Sequence, residues 1–300
     1  MAERILLRAL RDVCRENDIV FHTFADGWVV RLEQNGRARH VHGYDFGLNP
    51  ADATLLARDK AAAADIFRHA GVPHIEHAFF PHPGLAALPD LTERLSVCFD
   101  RMGRDVVVKP NDDTGGQDVN RVRNRRDLVR HVRRVFRRNR SAAVSPYRGI
   151  ASEYRVVLLD GVPLLVYAKE RRSVTGDGRR TLRELAVASG FSLPDDHETP
   201  DEIVPAGERP LLDWRHNLGR GAIPVSVDPA RPDIERLARR AAEALGLRFA
   251  SVDVAESNAG LEIVEANSGV MMEALAGAWP DGFERATAVY RAAVKALFAL

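Results

Sequence analysis

The sequence predicts an α+β fold, and three observations carry that expectation. Short segments with period-two alternation come in pairs, as at 19–32, 153–169 and 249–267. Amphipathic helical segments stand between and after these pairs, at 3–16, 126–138, 234–245 and 283–300. The regular strand–helix alternation that a parallel sheet requires is missing, so antiparallel hairpins with interspersed helices are expected.

Each element has its own local reason. Ile5, Leu6, Ala9, Leu10 and Val13 share one helical face within 3–16. Strands 19–23 and 28–32 flank Ala25-Asp26-Gly27, where Asp-Gly marks a hairpin turn, and 37–42 completes a small sheet. Asn49-Pro50 reads as the N-cap and first residue of a helix over 51–69 that Gly71-Val72-Pro73 stops. A proline-spaced connector at 81–89 and a helix at 91–99 lead to a valine-rich strand at 105–109 and the loop 110–118. The helix at 126–138 has a basic face, and the hairpin 153–159/162–169 turns at Asp160-Gly161. Residues 174–225 hold the turn Gly176-Asp177-Gly178, a helix near 181–189 and a long polar loop. Helix 234–245 ends at Gly246, and a last hairpin and helix close the chain, without internal repeats or low-complexity tracts.

Composition narrows the function classes. With 45% hydrophobic and 28% charged residues over 300 positions, the chain can bury a sizeable core and is neither disordered nor fibrous. Lysine plus arginine number 43 against 42 acidic residues, so the +1 charge gives no whole-molecule argument for nucleic acid or membranes. Cys14 and Cys98 make neither a disulfide framework nor a metal-ligand spacing. Charges at Glu3, Arg4 and Arg8 argue against a secretory leader, and no apolar run approaches the roughly 18 residues of a membrane span. A reducing, cytoplasmic setting is expected, with oligomeric state left open, a homo-oligomer included.

The last hairpin carries the first chemical signal. Alternation groups Phe249, Ser251 and Asp253 on one strand, and Leu261, Ile263, Glu265 and Asn267 on the other. With Glu256–Gly260 as the turn, Asp253 and Glu265 become neighbours on one face. Two carboxylates on an otherwise apolar face repel each other and are costly to desolvate unless a cation compensates them. Magnesium, with manganese as a substitute, prefers such oxygen ligands and bridges them to nucleotide phosphates; Asn267 would add a neutral oxygen. The bland alternative is a solvated sheet edge.

The second signal is Lys109, which ends its strand directly before Thr114-Gly115-Gly116. Glycines let the backbone approach phosphate oxygens, and a lysine on a strand fixes a positive charge beside them. The loop is neither a GxxxxGK[ST] nor a GxGxxG motif, and a glycine turn is often only a turn. The chain has four lysines against 39 arginines, and Lys60, Lys109 and Lys169 all stand beside these elements.

Taken in order, several strings resemble the ATP-grasp superfamily. They are Arg58-Asp-Lys60 with His69-Ala-Gly-Val-Pro73, Val106-Val-Val-Lys-Pro110 with its glycine loop, Ser152-Glu-Tyr-Arg155, Val174-Thr-Gly-Asp-Gly178, Arg215-His-Asn217, and Asp253 followed by Glu265-Ala-Asn267. The match runs across 49–275 and is closest to the branch with the ribosomal-protein glutamate ligase, cyanophycin synthetase and glutathione-forming ligases. The resemblance implies two α+β lobes clasping the nucleotide, with a short N-terminal α/β extension. On this chain the pieces would be 1–50, 51–146 and 147–300, the last with the metal site.

Position by position, the resemblance implies that Lys60 and Lys109 contact the nucleotide phosphates and the adenine side of the cleft. It makes Thr114, Gly115 and Gly116 the phosphate loop and Glu153 the acid that binds the ribose hydroxyls. Ala143–Tyr147, with Val144 and Tyr147, would be the hinge whose backbone reads adenine. Asp253, Glu265 and Asn267 would be the magnesium ligands; Arg215 and Asn217 would hold phosphate or the acyl phosphate, and Lys169 would be a third phosphate contact. Two features depart from the family: the hinge lacks its usual acidic residues and includes Pro146, which has no N–H, and only about fifty residues stand where many relatives carry a full α/β pre-domain.

The function implied is an ATP- and magnesium-dependent carboxylate–amine ligase that forms a peptide or amide bond through an acyl phosphate. Its partners would be a small-molecule carboxylate and amine, amino acids foremost. One alternative is a ligase that modifies a protein or peptide terminus; another is a polyanion- or RNA-binding module on the same scaffold using Arg125–Arg138. Residues 121–140 hold ten arginines but hardly an aromatic residue, so stacking on bases has little support and nucleic acid is not expected. His40 and His42 share a strand face, and His74, His77 and His82 follow on a connector, but their spacing matches no common zinc site.

Overall fold

A computed structural model describes residues 3–85, 91–113, 115–194, 197 and 199–299. Helix α1 (Ile5–Glu16) is followed by strands β1 (Val20–Phe24), β2 (Val29–Gln34) and β3 (Arg37–His42), then helices α2 (Ala51–Arg58) and α3 (Lys60–His69). Next come β4 (Ala78–Pro81), α4 (Leu91–Arg101), β5 (Val106–Pro110), β6 (Asn120–Val122), α5 (Arg125–Phe136) and β7 (Ser141–Pro146). The remaining elements are β8 (Ser152–Leu159), β9 (Val162–Glu170), α6 (Leu182–Ala188), β10 (Ile223–Ser226), α7 (Pro232–Ala244), β11 (Phe249–Ser257), β12 (Gly260–Asn267), α8 (Glu273–Ala278) and α9 (Gly282–Phe298). The registered strand pairs are antiparallel, and the α+β expectation holds. None of the helices among the described residues is long and apolar enough to cross a membrane.

The chain forms two compact units, one of 1–77, 148–168 and 226–300, the other of 78–147 and 169–225. This differs from the three consecutive pieces read from the sequence. One crossing falls after Tyr147, beside the expected boundary, but none falls at residue 50. The reason is topological: β8, which pairs with β9 on one side, pairs on the other with β11, almost a hundred residues later, so one sheet draws on distant parts of the chain.

In the first unit the main sheet runs β9-β8-β11-β12. One of its faces supplies Tyr154, Val156, Val252, Val254, Ile263 and Ala266 to a core shared with α3 and α7. A separate sheet, β1-β2-β3, turns Val30, Leu32 and Val41 inward, and α1 buries Leu6, Leu10 and Val13. The β1–β2 turn holds Ala25, Asp26 and Gly27 at positive φ, which suits the Asp-Gly pair the sequence shows.

Two local readings are corrected here. The helix expected over 51–69 is two helices, because Asp59 leaves the helical conformation (φ −87, ψ 100) and caps α3, its carboxylate accepting from Ala62 N at 2.9 Å. Asn49 caps nothing: its Oδ1 accepts from Arg248 N and Phe249 N, and its Nδ2 donates to Phe249 O, pinning the start of β11.

The second unit has a sheet in the order β4-β7-β5-β6. Phe80, Val106, Val108, Ala142 and Val144 face α4 and α5, which contribute Leu95, Phe99, Leu128 and Val132. A smaller cluster, with Leu182, Leu185, Val204 and Leu212, closes around α6, whose N-terminus is a capping box between Thr181 and Glu184.

Candidate functional site

In the first unit, the hairpin β11–β12 sets Asp253 in register with Glu265, and Ser251 with Asn267. Cross-strand partners share a face, so Asp253, Glu265 and Asn267 stand together as the alternation predicts. The hairpin is longer than expected, its strands reaching Ser257 and resuming at Gly260. A bulge beside Asp253 pairs Val254 with Ile263, skipping Val264. That extra residue reverses the facing of everything before it in β12. Ile263, expected beside Glu265, is instead 1% exposed in the core on the opposite face, and Leu261 packs there too.

The candidate metal ligands are already electrostatically engaged. Arg155, opposite Asp253 on β8, donates from Nε and Nη2 to the two Asp253 carboxylate oxygens, each at 2.8 Å. Asp253 is almost wholly buried, with 2% of its side chain exposed against 14% for Arg155. Burial works against the charge on Arg155, but Asp253, and after it Tyr167 and Glu265, hold the guanidinium well above its usual range. The cation that compensates Asp253 in this structure is therefore an arginine, and carboxylate repulsion by itself does not call for a metal. Asn267 Nδ2 donates to Glu265 Oε1 at 3.3 Å.

Lys60 reaches the same neighbourhood by a separate route. After α3, the segment at Gly71-Val72-Pro73 runs along β12: Ile263 N donates to Pro73 O and Ile75 N to Ile263 O, both at 2.9 Å. This ties α3, with Lys60 at its first position, to the hairpin. Lys60, Phe67, His77 and Glu265 line one cavity of about 10 Å³, the room of a single water. Glu153 is buried at the start of β8, two residues from Arg155 and therefore on its face.

The second unit gathers the other predicted residues. Lys109 is 9% exposed on β5, on the face turned away from the α4–α5 core that Val106 and Val108 fill. In the following loop Thr114 lies outside the described residues, while Gly115 and Gly116 have φ of +80 and +72. At Gly116 a Cβ would stand 2.5 Å from Asn217 Nδ2, so the glycine is what lets Asn217 lie against the loop. Arg215 donates from Nη1 to Asp213 Oδ1 at 2.8 Å and from Nη2 to Val119 O at 2.5 Å. Arg220 donates from Nε to Asp213 Oδ2 at 3.2 Å. His216 Nδ1 donates to the Lys169 carbonyl at 2.7 Å, which ties buried Lys169 to this cluster; His216 Nε2 is buried without a hydrogen-bond partner.

The expected hinge meets a backbone already engaged within the second unit. Val144 belongs to β7, an interior strand paired with β4 through Ala78 and with β5 through Val108, and its side chain is fully buried. Its backbone is committed to the sheet and cannot read a ligand. Tyr147 stands where the chain leaves the second unit; its N–H is engaged too, donating to Asp105 O at 2.8 Å, and the Arg121 guanidinium lies 3.4 Å from its ring centroid.

No role is read from the sequence for Arg155, although it ends the string Ser152-Glu-Tyr-Arg155, or for Asp213; they are the counter-ions of Asp253 and Arg215. In both cases a spacing of two residues, from Glu153 to Arg155 and from Asp213 to Arg215, is the only local signal. On the basic face of α5, Arg125 pairs with Asp100, Arg130 with Asp127 and Arg134 with Asp118. Among the described residues no three His, Cys, Asp or Glu side chains cluster as a metal site. The candidate set is two carboxylates and an amide, all hard oxygen donors. That suits magnesium, which takes one or two protein carboxylates and completes its shell with water and phosphate, with Asp253 shared by Arg155.

The fold these units display is the ATP-grasp fold. It superimposes on the bifunctional glutathione synthetase from Pasteurella multocida with a TM-score of 0.56 at 17% identity, over 95% of this chain and 44% of that one. In sequence the chain is 25% identical over 264 residues to the glutathione biosynthesis bifunctional protein GshAB of Lactiplantibacillus plantarum, covering 79% of this chain and 34% of the relative. It is 26% identical over 244 residues to cyanophycin synthetase of Synechocystis sp., covering 73% and 27%. The chain thus spans about a third or less of the length of these curated relatives. No family model matches it. The likeness to ATP-grasp ligases read from the motifs holds in both sequence and fold.

Proposed function

We propose that the chain is an ATP- and magnesium-dependent carboxylate–amine ligase that makes a peptide or amide bond through an acyl phosphate, with an amino acid among its substrates. The observation that carries this reading is the register of Asp253 with Glu265 on one face, with Lys60 and Glu265 lining a common cavity. The names of the curated relatives, a glutathione biosynthesis protein and cyanophycin synthetase, support the choice of an amino-acid substrate.

A carboxylate is a poor electrophile near neutral pH, and transfer of a γ-phosphoryl group gives it a leaving group; the protein's task is positioning and charge neutralisation. Asp253, Glu265 and Asn267 would hold the magnesium ion, which when bound neutralises phosphate charge. Lys60 and Lys109 would hold the nucleotide phosphates. Lys169, Arg215 and Asn217 would offset charge that develops on the transferred group and on the acyl phosphate. Gly115 and Gly116 would let the loop backbone approach phosphate, Tyr147 would flank the base, and Glu153 would accept from the ribose hydroxyls. An amine then attacks the acyl carbon and phosphate departs.

The test is incubation of the purified chain with ATP, magnesium and pools of amino acids, with hydroxylamine added to trap acyl phosphate as hydroxamate. Stimulated ADP release with hydroxamate is expected. Lys109→Ala and Glu265→Ala should each cut turnover by about 100-fold or more while melting cooperatively. Absence of ADP release with every pool, or wild-type turnover by folded Glu265→Ala protein, would refute the reading.

A further inference from the structure

We propose that Arg155 is a built-in counter-cation for the Asp253–Glu265 pair, and that it keeps the chain's intrinsic affinity for a divalent ion low until an anion arrives with the metal. The inference rests on the metal reading above. It follows from the fork of 2.8 Å bonds that engages both oxygens of Asp253, at a position where Glu265 is the cross-strand neighbour.

Glu153 lies further along the same face, opposite Ala255, while at the fork the in-register pair sets two carboxylates, Asp253 and Glu265, against one guanidinium. A divalent ion placed beside them leaves an excess positive charge in a nearly dry setting, where like charges are weakly screened. Phosphate oxygens remove that excess. The metal alone should therefore bind poorly and bind together with a nucleotide, and Arg155 is the side chain that imposes this condition. Asp253 need not swing: it can keep one bond to Arg155 and turn a lone pair of the other oxygen to the metal, since a carboxylate has more acceptor sites than the guanidinium occupies.

The measurement is titration of the full chain with Mn²⁺ alone, free Mn²⁺ being read by electron paramagnetic resonance. Arg155→Gln is expected to bind Mn²⁺ about tenfold more tightly than the unaltered protein. Adding Asp253→Asn to Arg155→Gln should erase the gain. Mn²⁺ binding by Arg155→Gln no tighter than by the unaltered chain would overturn the proposal. Removing Arg155 strands a buried carboxylate, so the variant is also melted with and without Mn²⁺. A larger Mn²⁺-induced rise in Tm for Arg155→Gln than for the unaltered chain supports the proposal, and an equal or smaller rise overturns it. If the glutamine variant folds in neither buffer, Arg155→Met, which also removes the charge, decides the matter by the same titration: tighter Mn²⁺ binding supports, unchanged or weaker binding overturns. Failure of both proteins to bind Mn²⁺ even with ATP present would instead sink the metal reading itself, which separates the two claims.

Discussion

The two units carry mirror-image charge clusters. In the first, one guanidinium, Arg155, bonds Asp253 and feels the charge of its cross-strand neighbour Glu265; in the second, two guanidinium groups, Arg215 and Arg220, share one carboxylate, Asp213. Each cluster keeps a residual charge of the sign its proposed ligand needs, negative for a metal ion and positive for phosphate. Neither exposes a bare buried charge, which would be costly in the free protein. Ligand binding at both places is then an exchange or sharing of partners. The price is affinity for the isolated ion, and the gain is a free protein that folds without it.

The strongest way to break this symmetry is Asp213→Asn. Asp213 neutralises two arginines, one of them only 7% exposed in its side chain, and receives the Arg215 backbone N–H as well. Its loss should cost about 3–5 kcal/mol, read as a fall in the urea midpoint. Asp253→Asn should cost less, about 3 kcal/mol at most, because Glu265 lies in register beside the vacated position and can take over Arg155. Equal losses in the two variants would show that Glu265 does not act as a second partner, and the first cluster would then be a simple pair.

The mirror was only half legible in the chain. Alternation along 249–267 gives the facing of Asp253 and Glu265 because the pairing from Ser251 with Asn267 to Asp253 with Glu265 is regular and the bulge falls on the turn side of it. The bulge at Val264 has no such signature, since it is a backbone choice at an ordinary valine, and it carries Ile263 and Leu261 to the core face. The counter-ions are harder still. That Glu153 and Arg155 share a face can be read locally, but that β8 lies beside β11 in the register of Arg155 with Asp253 is a pairing across almost a hundred residues. Ser141–Pro146 fails for another reason: small and polar residues there have weak strand preference, and only the neighbours β4 and β5 make the segment an interior strand. The glycine loop and Asn217, distant in sequence, meet through a close approach that only the fold reveals.

The smallest expected effect sharpens the comparison from outside it. Asp105 and Arg121 make the same fork as Asp253 and Arg155, with bonds of 2.9 and 2.6 Å, but with side chains 34% and 22% exposed. If burial, not fork geometry, gives the two clusters their weight, Asp105→Asn should cost under about 1 kcal/mol in the urea midpoint at pH 7. Partial burial pushes the Asp105 carboxyl up, but Arg121, with help from Arg123, more than offsets this and leaves it below the usual carboxylate range. Its folded value is then lower than the unfolded value of about 3.9, so the folded state holds fewer protons between the two. The contribution is fully present above about pH 4 and is lost as pH falls through the folded value. The difference between the unaltered chain and Asp105→Asn should therefore be constant from pH 7 to about pH 5 and shrink below pH 4. A cost as large as that of Asp253→Asn would mean that the fork itself, and not its removal from water, stabilises these pairs.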